Sequence, residues 1–253
     1  MLILLPPSET KRLGGRRRAL DVDSLPFASL RPEREASIDA LIDLAGDPEQ
    51  SQRVLKLGAT QLGDATVNLA LRMGPTLPAV DRYTGVLYDA LDAASLDAAS
   101  RRWLGSHVMI HSAPFGPVGA LDAIPAYRLG ASASVPGLPP LRRLWAGPVT
   151  AAVAAAAPTF VLDLRSQAYV ALGPLPTSVR GAYVRVVTET ATGEVRALNH
   201  FNKHAKGALV RSLAAARARV ATVGGLLRWA DAAGWQLRQS DSEQRVLTLT
   251  VHM

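Results

Sequence analysis

The sequence predicts a single α/β (α+β) domain, a mixed β-sheet flanked by helices. Strand-like apolar runs alternate with segments of helical period, but without the regular spacing of repeated βαβ units. Hairpin signals near the end of the chain require antiparallel neighbours beside the buried strands. No linker or internal repeat divides the 253 residues.

The elements follow in order. Leu2 to Leu5 is a continuous apolar run stopped by Pro6-Pro7, a buried strand. Ser8-Glu9-Thr10-Lys11 comes next, at the carboxyl end where open α/β sheets place ligands. The basic loop from Lys11 to Arg18, with Gly14-Gly15 inside it, reads as a mobile exposed loop or as a phosphate clamp. Residues 32–57 read as helical, with Pro32 in the first turn and Ile38, Leu41, Ile42 and Leu44 on the apolar face. Val86 to Leu91 follows Tyr83-Thr84-Gly85, and Leu96 to Leu104 is a further helix. Val108-Met109-Ile110 is a strand, and Phe115 to Leu121 a glycine- and proline-rich turn. Ala146 to Ala157 is helical after a break at Pro148, and Phe160 to Leu164 is a buried strand leading into Arg165-Ser166-Gln167 and Tyr169. Tyr183 to Val187 and Glu194 to Leu198 flank Thr192-Gly193 as a hairpin. Thr222 caps a helix to about Ala232, and Trp235 to Leu237 pairs with Val246 to Val251.

Composition excludes several functions. Hydrophobic residues make up 48% and charged ones 19%, the balance of a globular protein. The absence of cysteine removes disulfides, thiolate nucleophiles, cysteine-held iron–sulfur clusters and thiol-based peroxide chemistry. MLILLPP lacks a basic leader region, and no run approaches the roughly 20 apolar residues of a spanning helix. The expected location is the cytoplasm, away from membranes. The net charge of +7 is uneven, with 11 Lys+Arg against 14 Asp+Glu in residues 1–100 but 17 against 7 in residues 101–253. That basic excess implies a polyanionic partner, nucleic acid ahead of a membrane surface.

The densest basic group lies between Glu194 and Val220. His200, Lys203, His204 and Lys206 crowd a turn before a helix whose apolar face is Leu209, Leu213, Ala216 and Val220, with Lys203, Val210 and Arg217 on a stripe beside it. Gly207 allows close backbone approach, so the group reads as an anion site or as a solvated basic helix. Arg165, Ser166 and Tyr169 leave their strand together and suit a phosphate with a sugar or base; alternatively Tyr169 packs in the core and Arg165 holds a carboxylate. Two histidine pairs, His107/His111 and His200/His204, have i,i+4 spacing, but neither has a neighbouring carboxylate to complete a metal site. Phosphate-loop, dinucleotide-binding and nucleophile-elbow motifs are all missing.

MLILLPPSETKR, Tyr83-Thr84-Gly85, Pro125 to Leu129, LDLRSQAY and NHFNKHAKG, in this order from Met1 to about Arg219, resemble the YaaA family of bacterial peroxide stress proteins. The resemblance implies a compact mixed α/β protein whose positively charged cleft binds duplex nucleic acid. It also implies a helix–hairpin–helix element and a role in limiting damage by peroxide and free iron. By position Lys203, Lys206 and Gly207 match the family's basic segment, Ser166 and Tyr169 its S-x-x-Y, Tyr127-Arg128 its Y-R, and Pro7 and Thr10 its amino-terminal turn. Asn202 replaces the usual alanine. Pro114 to Ala120 replaces the usual hairpin, where Gly116 and Gly119 keep backbone phosphate contacts available and Pro117 removes a donor.

The expected function is that of a monomeric duplex-DNA or structured nucleic-acid binder of the peroxide response, without cofactor. Its contacts would be Lys203, Lys206, Gly207, Arg165, Ser166, Tyr169, Tyr127, Arg128, Lys11, Gly116 and Gly119. The alternative is an enzyme acting on a nucleotide or damaged base, with Glu9, Arg165, Tyr169 and Lys203 converging and Lys203 as a Schiff-base nucleophile. A third reading is iron held by His200 and His204.

Overall fold

Leu2–Leu5 (β1) is an interior strand of the sheet, and its side chains Ile3, Leu4 and Leu5 are at most 1% exposed. The computed structural model describes residues 1–16, 19–189, 195–196, 199–240 and 243–252; for residues 59, 60, 62, 188, 189, 195, 196, 199, 200 and 252 it describes the backbone alone. The remaining strands are Thr76–Pro78 (β2), Val108–Ser112 (β3), Gly116–Gly119 (β4), Ala123–Pro125 (β5), Val161–Asp163 (β6), Gly181–Glu189 (β7), Val195–Arg196 (β8), Gln236–Gln239 (β9) and Val246–His252 (β10). The main sheet runs β4-β3-β1-β6-β7-β10-β9, with β8 against β7, while β2 and β5 form a separate antiparallel pair. β3, β1, β6, β7 and β10 are mutually parallel along this path; β4, β8 and β9 run antiparallel to their neighbours. The predicted mixed sheet is therefore present, with the fully apolar β1 among its parallel strands.

Helices cover it: Arg31–Ala45 (α1), Pro48–Leu55 (α2), Ala79–Arg82 (α3), Val86–Leu91 (α4), Ala98–His107 (α5), Leu141–Ala156 (α6), Gln167–Val170 (α7), Asn199–Ala215 (α8) and Val223–Ala232 (α9). The single helix expected over residues 32–57 is two, because Asp47 caps a new start by accepting from the Gln50 N–H at 2.9 Å, just before Pro48. The break expected at Pro148 does not occur, since α6 begins earlier and runs through the proline, giving up one backbone donor. Thr222 caps α9 as predicted, accepting from the Gly225 N–H at 3.0 Å.

The basic segment differs most from expectation. α8 starts at Asn199, so Lys203, His204 and Lys206 stand on the helix, not in a turn before it. It stops at Ala215, where Arg217 adopts φ 46° and the Ala218 N–H bonds the Leu213 carbonyl at 3.0 Å. Val210 is fully buried with Leu209 and Leu213, so it belongs to the core and not to a charged stripe, and Ala216 is exposed. The hairpin turn at Thr192-Gly193 lies outside the described residues, although β7 and β8 pair antiparallel as it requires.

The loop over residues 114–120 is no helix–hairpin–helix. Residues 111–120 are all buried, and Gly116–Gly119 is a strand of the main sheet. The buried guanidinium of Arg34 donates to the Phe115 carbonyl at 2.9 Å and to the Pro117 carbonyl at 3.2 Å. Gly116 has φ 64°, and a Cβ there would lie 2.9 Å from the Trp145 ring. The Gly119 N–H is taken by the Asp122 carboxylate at 2.6 Å. Gly116 and Gly119 thus serve packing, out of reach of a phosphate.

Candidate functional site

The carboxyl ends of β1 and β6 lie side by side, and the chain leaves them in opposite directions: from β1 toward β3, and from β6 toward β7. Open α/β sheets form their ligand crevice at such a switch point. All five tyrosines of the chain border these ends. The Tyr88 hydroxyl donates to the Pro6 carbonyl at 2.7 Å, and the Tyr83 and Tyr127 hydroxyls share a 2.8 Å bond. Tyr169 lies 6.0 Å from the His111 ring, and Tyr183 is the register partner of Asp163. Burial pushes the phenols of Tyr83, Tyr88 and Tyr169 well up and that of Tyr127 to about 12, so these four act as neutral groups.

On the β1 side, residues 10–12 are pinned to the segment 82–84. Lys11 and Tyr83 form a β-bridge, the Arg12 N–H donates to the Arg82 carbonyl at 2.8 Å, and the Thr84 N–H donates to the Thr10 carbonyl at 3.2 Å. The expected mobile loop is therefore fixed at its start. Lys11 Nζ donates to the Ser8 carbonyl at 3.0 Å and the Glu9 carbonyl at 3.1 Å, and stands 4.1 Å from the centre of the Tyr127 ring. Burial lowers its pKa to about 7; Glu9 opposes the shift, while Arg128 and Arg82 add to it. Asn68 grips the backbone of Arg128, accepting from its N–H at 2.8 Å and donating to its carbonyl at 3.0 Å. Arg128 faces Glu9 at 3.6 Å. Glu9, Thr10, Lys11, Tyr127 and Arg128 line one cavity of about 260 Å³.

On the β6 side, Arg165 is fully buried and uses its whole donor set internally. Nε and Nη2 bond both Asp163 oxygens at 2.9 and 2.6 Å. Nη1 reaches His111 Nδ1 at 2.9 Å and the Tyr169 carbonyl at 3.4 Å, and Nη2 also reaches the Gly173 carbonyl at 2.9 Å. Because His111 Nδ1 accepts, its proton sits on Nε2, which is buried without a partner. Burial, then the Arg165 charge, holds this imidazole well below its usual pKa. Lys206 is 4% exposed, with Nζ 5.3 Å from the Tyr183 ring centre; burial lowers its pKa to about 8 against the pull of Asp163.

The structure thus brings Glu9, Lys11, Tyr127 and Arg128 together in one cavity that Lys203, exposed on α8 with His204, does not line. Arg165 is fully buried and committed to internal partners, whereas the phenol of Tyr169, itself buried, stays within electrostatic reach of Glu9 and Tyr127, so the grouping expected of Glu9, Arg165, Tyr169 and Lys203 is met only for Glu9 and Tyr169. Ser166 is exposed. Gly207 is buried against α4, where a Cβ would fall 2.0 Å from the Leu87 carbonyl oxygen; the close approach it permits is to a helix. His107 stacks on Trp103 at the end of α5 and His111 is buried on β3, so they form no pair. The side chain of His200 lies outside the described residues, and among those described no three His, Asp or Glu groups converge on a metal position. Asp163 and Tyr183 escaped the sequence reading as site residues, and His111 entered it only as half of a histidine pair. One signal did point toward these amines: the chain has only four lysines against 24 arginines, and at this crevice Lys206 is buried and Lys11 half-buried.

A pH test follows. The unfolded chain keeps Lys206 protonated up to its ordinary 10.5, whereas the folded chain releases that proton near 8. The penalty is complete below the folded value and gone above the unfolded one, so stability rises with pH across that window. The urea midpoint of the wild type should climb more steeply from pH 8 to pH 10 than that of Lys206→Met. Parallel curves would show that the amine is not desolvated.

A family model described as peroxide stress protein YaaA matches residues 1–241. A UPF0246 protein of Corynebacterium efficiens is 40% identical over 255 residues, covering 99% of this chain and 100% of the relative. One from Streptomyces coelicolor is 42% identical over 219 residues, 85% of this chain and 83% of the relative. An uncharacterized protein of Campylobacter jejuni is 26% identical over 136 residues, 53% and 55% of the two chains. With the matched region running from β1 through β9, the chain belongs to the peroxide stress protein YaaA family, UPF0246.

Proposed function

We propose that this protein binds duplex nucleic acid during peroxide stress and thereby limits iron-dependent oxidative damage. The supporting observation is an excess of exposed cations over exposed carboxylates among the described residues of 101–253. The enclosed cations Arg165 and Lys206 are set against Asp163 inside the fold. Arg142, Arg143, Arg180, Lys203, Arg219 and Arg238 are exposed, whereas the exposed carboxylates among the described residues of 101–253 are Asp231 and Glu243. Arg185, ion-paired with Glu243, and Arg238 also flank Thr248 in one row across β7, β10 and β9, roughly 10 Å apart at ordinary strand spacing. Such a surface binds a polyphosphate by releasing counterions, largely without regard to sequence.

Lys203 on the first turns of α8 is the contact to test, because its side chain is exposed and carries none of the core. Fluorescence anisotropy with a labelled duplex across a KCl series should give a steep log–log slope. Lys203→Ala should flatten it by about one unit, the contribution of one neutralised phosphate, and weaken binding to different sequences alike. No duplex binding at low salt sinks the reading.

A further inference from the structure

We propose that Lys11 is a nucleophilic amine that condenses with an aldehyde, and that its substrate class is the ring-opened C1′ aldehyde of an abasic sugar. The amine chemistry stands on the geometry of the β1 cavity; the choice of substrate rests on the nucleic-acid reading above.

Three features set Lys11 apart from a surface lysine. Its backbone is locked by the bridge to Tyr83, and its Nζ is held by the Ser8 and Glu9 carbonyls at 3.0 and 3.1 Å. A neutral amine has two N–H donors, so these two acceptors use both and leave the lone pair free. Burial first, and then the guanidiniums of Arg128 and Arg82, disfavour an ammonium at this point against the opposing charge of Glu9. The cavity onto which Lys11 opens, about 260 Å³, is large enough for a sugar. Arg128 lines it with its backbone clamped by Asn68, a donor suited to an adjacent phosphate. Glu9 lines it as well, a carboxylate placed to carry protons. Lys203 has none of these supports, being exposed.

The step balances without an oxidant or metal. The Lys11 lone pair attacks the aldehyde carbon, forming the C–N bond as the carbonyl π electrons move to oxygen. Proton transfer from nitrogen to that oxygen, with one further proton, expels water and leaves the protonated imine. Peroxide damage strips bases from nucleic acid and leaves such aldehydes, the one strongly electrophilic carbon that the proposed partner offers.

The experiment uses the full chain and two probes: a duplex carrying one abasic site, and 2-deoxyribose 5-phosphate as a small aldehyde. Each is incubated with cyanoborohydride, which delivers hydride to the imine and fixes it as a secondary amine. Peptide mass mapping then assigns the adduct among the four lysines and the amino terminus. The expected result is an adduct at Lys11 with both probes, with a yield that rises as pH passes about 7 and is lost to background in Lys11→Arg. Mapping on the wild type keeps the test valid if that variant folds poorly. Adducts confined to Lys203, Lys206, Lys56 or the amino terminus, or none at all with the sugar phosphate, overturn the proposal. Anisotropy on the same duplex without reductant separates this failure from a failure of nucleic-acid binding. An adduct with the sugar phosphate but none on a duplex that is bound keeps the nucleophile and overturns the substrate.

Discussion

Gly207→Ala is expected to destabilise the protein by about 3 kcal/mol or more, the upper range for forcing atoms into a filled core. The added Cβ would lie 2.0 Å from the Leu87 carbonyl oxygen, 2.9 Å from the carbon it is bonded to and 3.0 Å from the Ala90 Cβ. A rotamer change cannot relieve this, because a Cβ has no torsion and the nearest obstacle is helix backbone. α8 and α4 must move apart by more than an ångström, which loosens contacts of Leu209, Leu213, Leu87 and Leu91, all buried. The better helix propensity of alanine returns only about 1 kcal/mol. Thermal melting should show a drop of roughly 6–12 °C, at 2–4 °C per kcal/mol for a domain of this size. Duplex affinity per folded molecule should be unchanged, because the glycine faces a helix. An unaltered melting temperature with lost affinity would make Gly207 a phosphate contact instead.

That contrast shows which features a one-dimensional reading captures. β1 and β6 were legible because their neighbours enclose them on both faces, so β1 is apolar without interruption and β6 is apolar up to Asp163. The Thr222 cap and the β9–β10 pairing were legible because their signals are local. Gly207 and Gly116 were misread, and Arg165 was left open between a phosphate and the carboxylate it holds, for a common reason: each type serves ligand recognition and internal packing equally well, and only the third dimension separates the two. Arg165 meets Asp163 two residues away, but also His111, 54 residues earlier. Gly207 meets Leu87, 120 residues earlier. The Lys11 cavity was partly visible, since Glu9 and Lys11 follow a strand, yet the Asn68 clamp on Arg128 bridges 60 residues without a local pattern.

Arg165→Ala should cost about 3–5 kcal/mol, the range for breaking a buried ion pair by removing one partner. The lost bonds are the smaller part. Asp163 is 2% exposed, and without the guanidinium its carboxylate stays in the interior beside a His111 ring that burial keeps neutral. Lys206 is the remaining nearby cation, and it has no hydrogen bond to Asp163 among the described contacts. Arg165→Lys should recover little, since one ammonium has three donors where five are in use and cannot span both carboxylate oxygens and two carbonyls. Adding Asp163→Asn to Arg165→Ala should restore part of the loss, because the uncompensated charge is removed. A double-mutant cycle in urea would read this as coupling of about 2 kcal/mol, within the range for residues sharing one network. The same variants separate structure from recognition. With the guanidinium enclosed, duplex affinity corrected for folded fraction should stay level in Arg165→Ala while stability falls. Stability unchanged with affinity lost would show that Arg165 leaves Asp163 to grip a ligand phosphate.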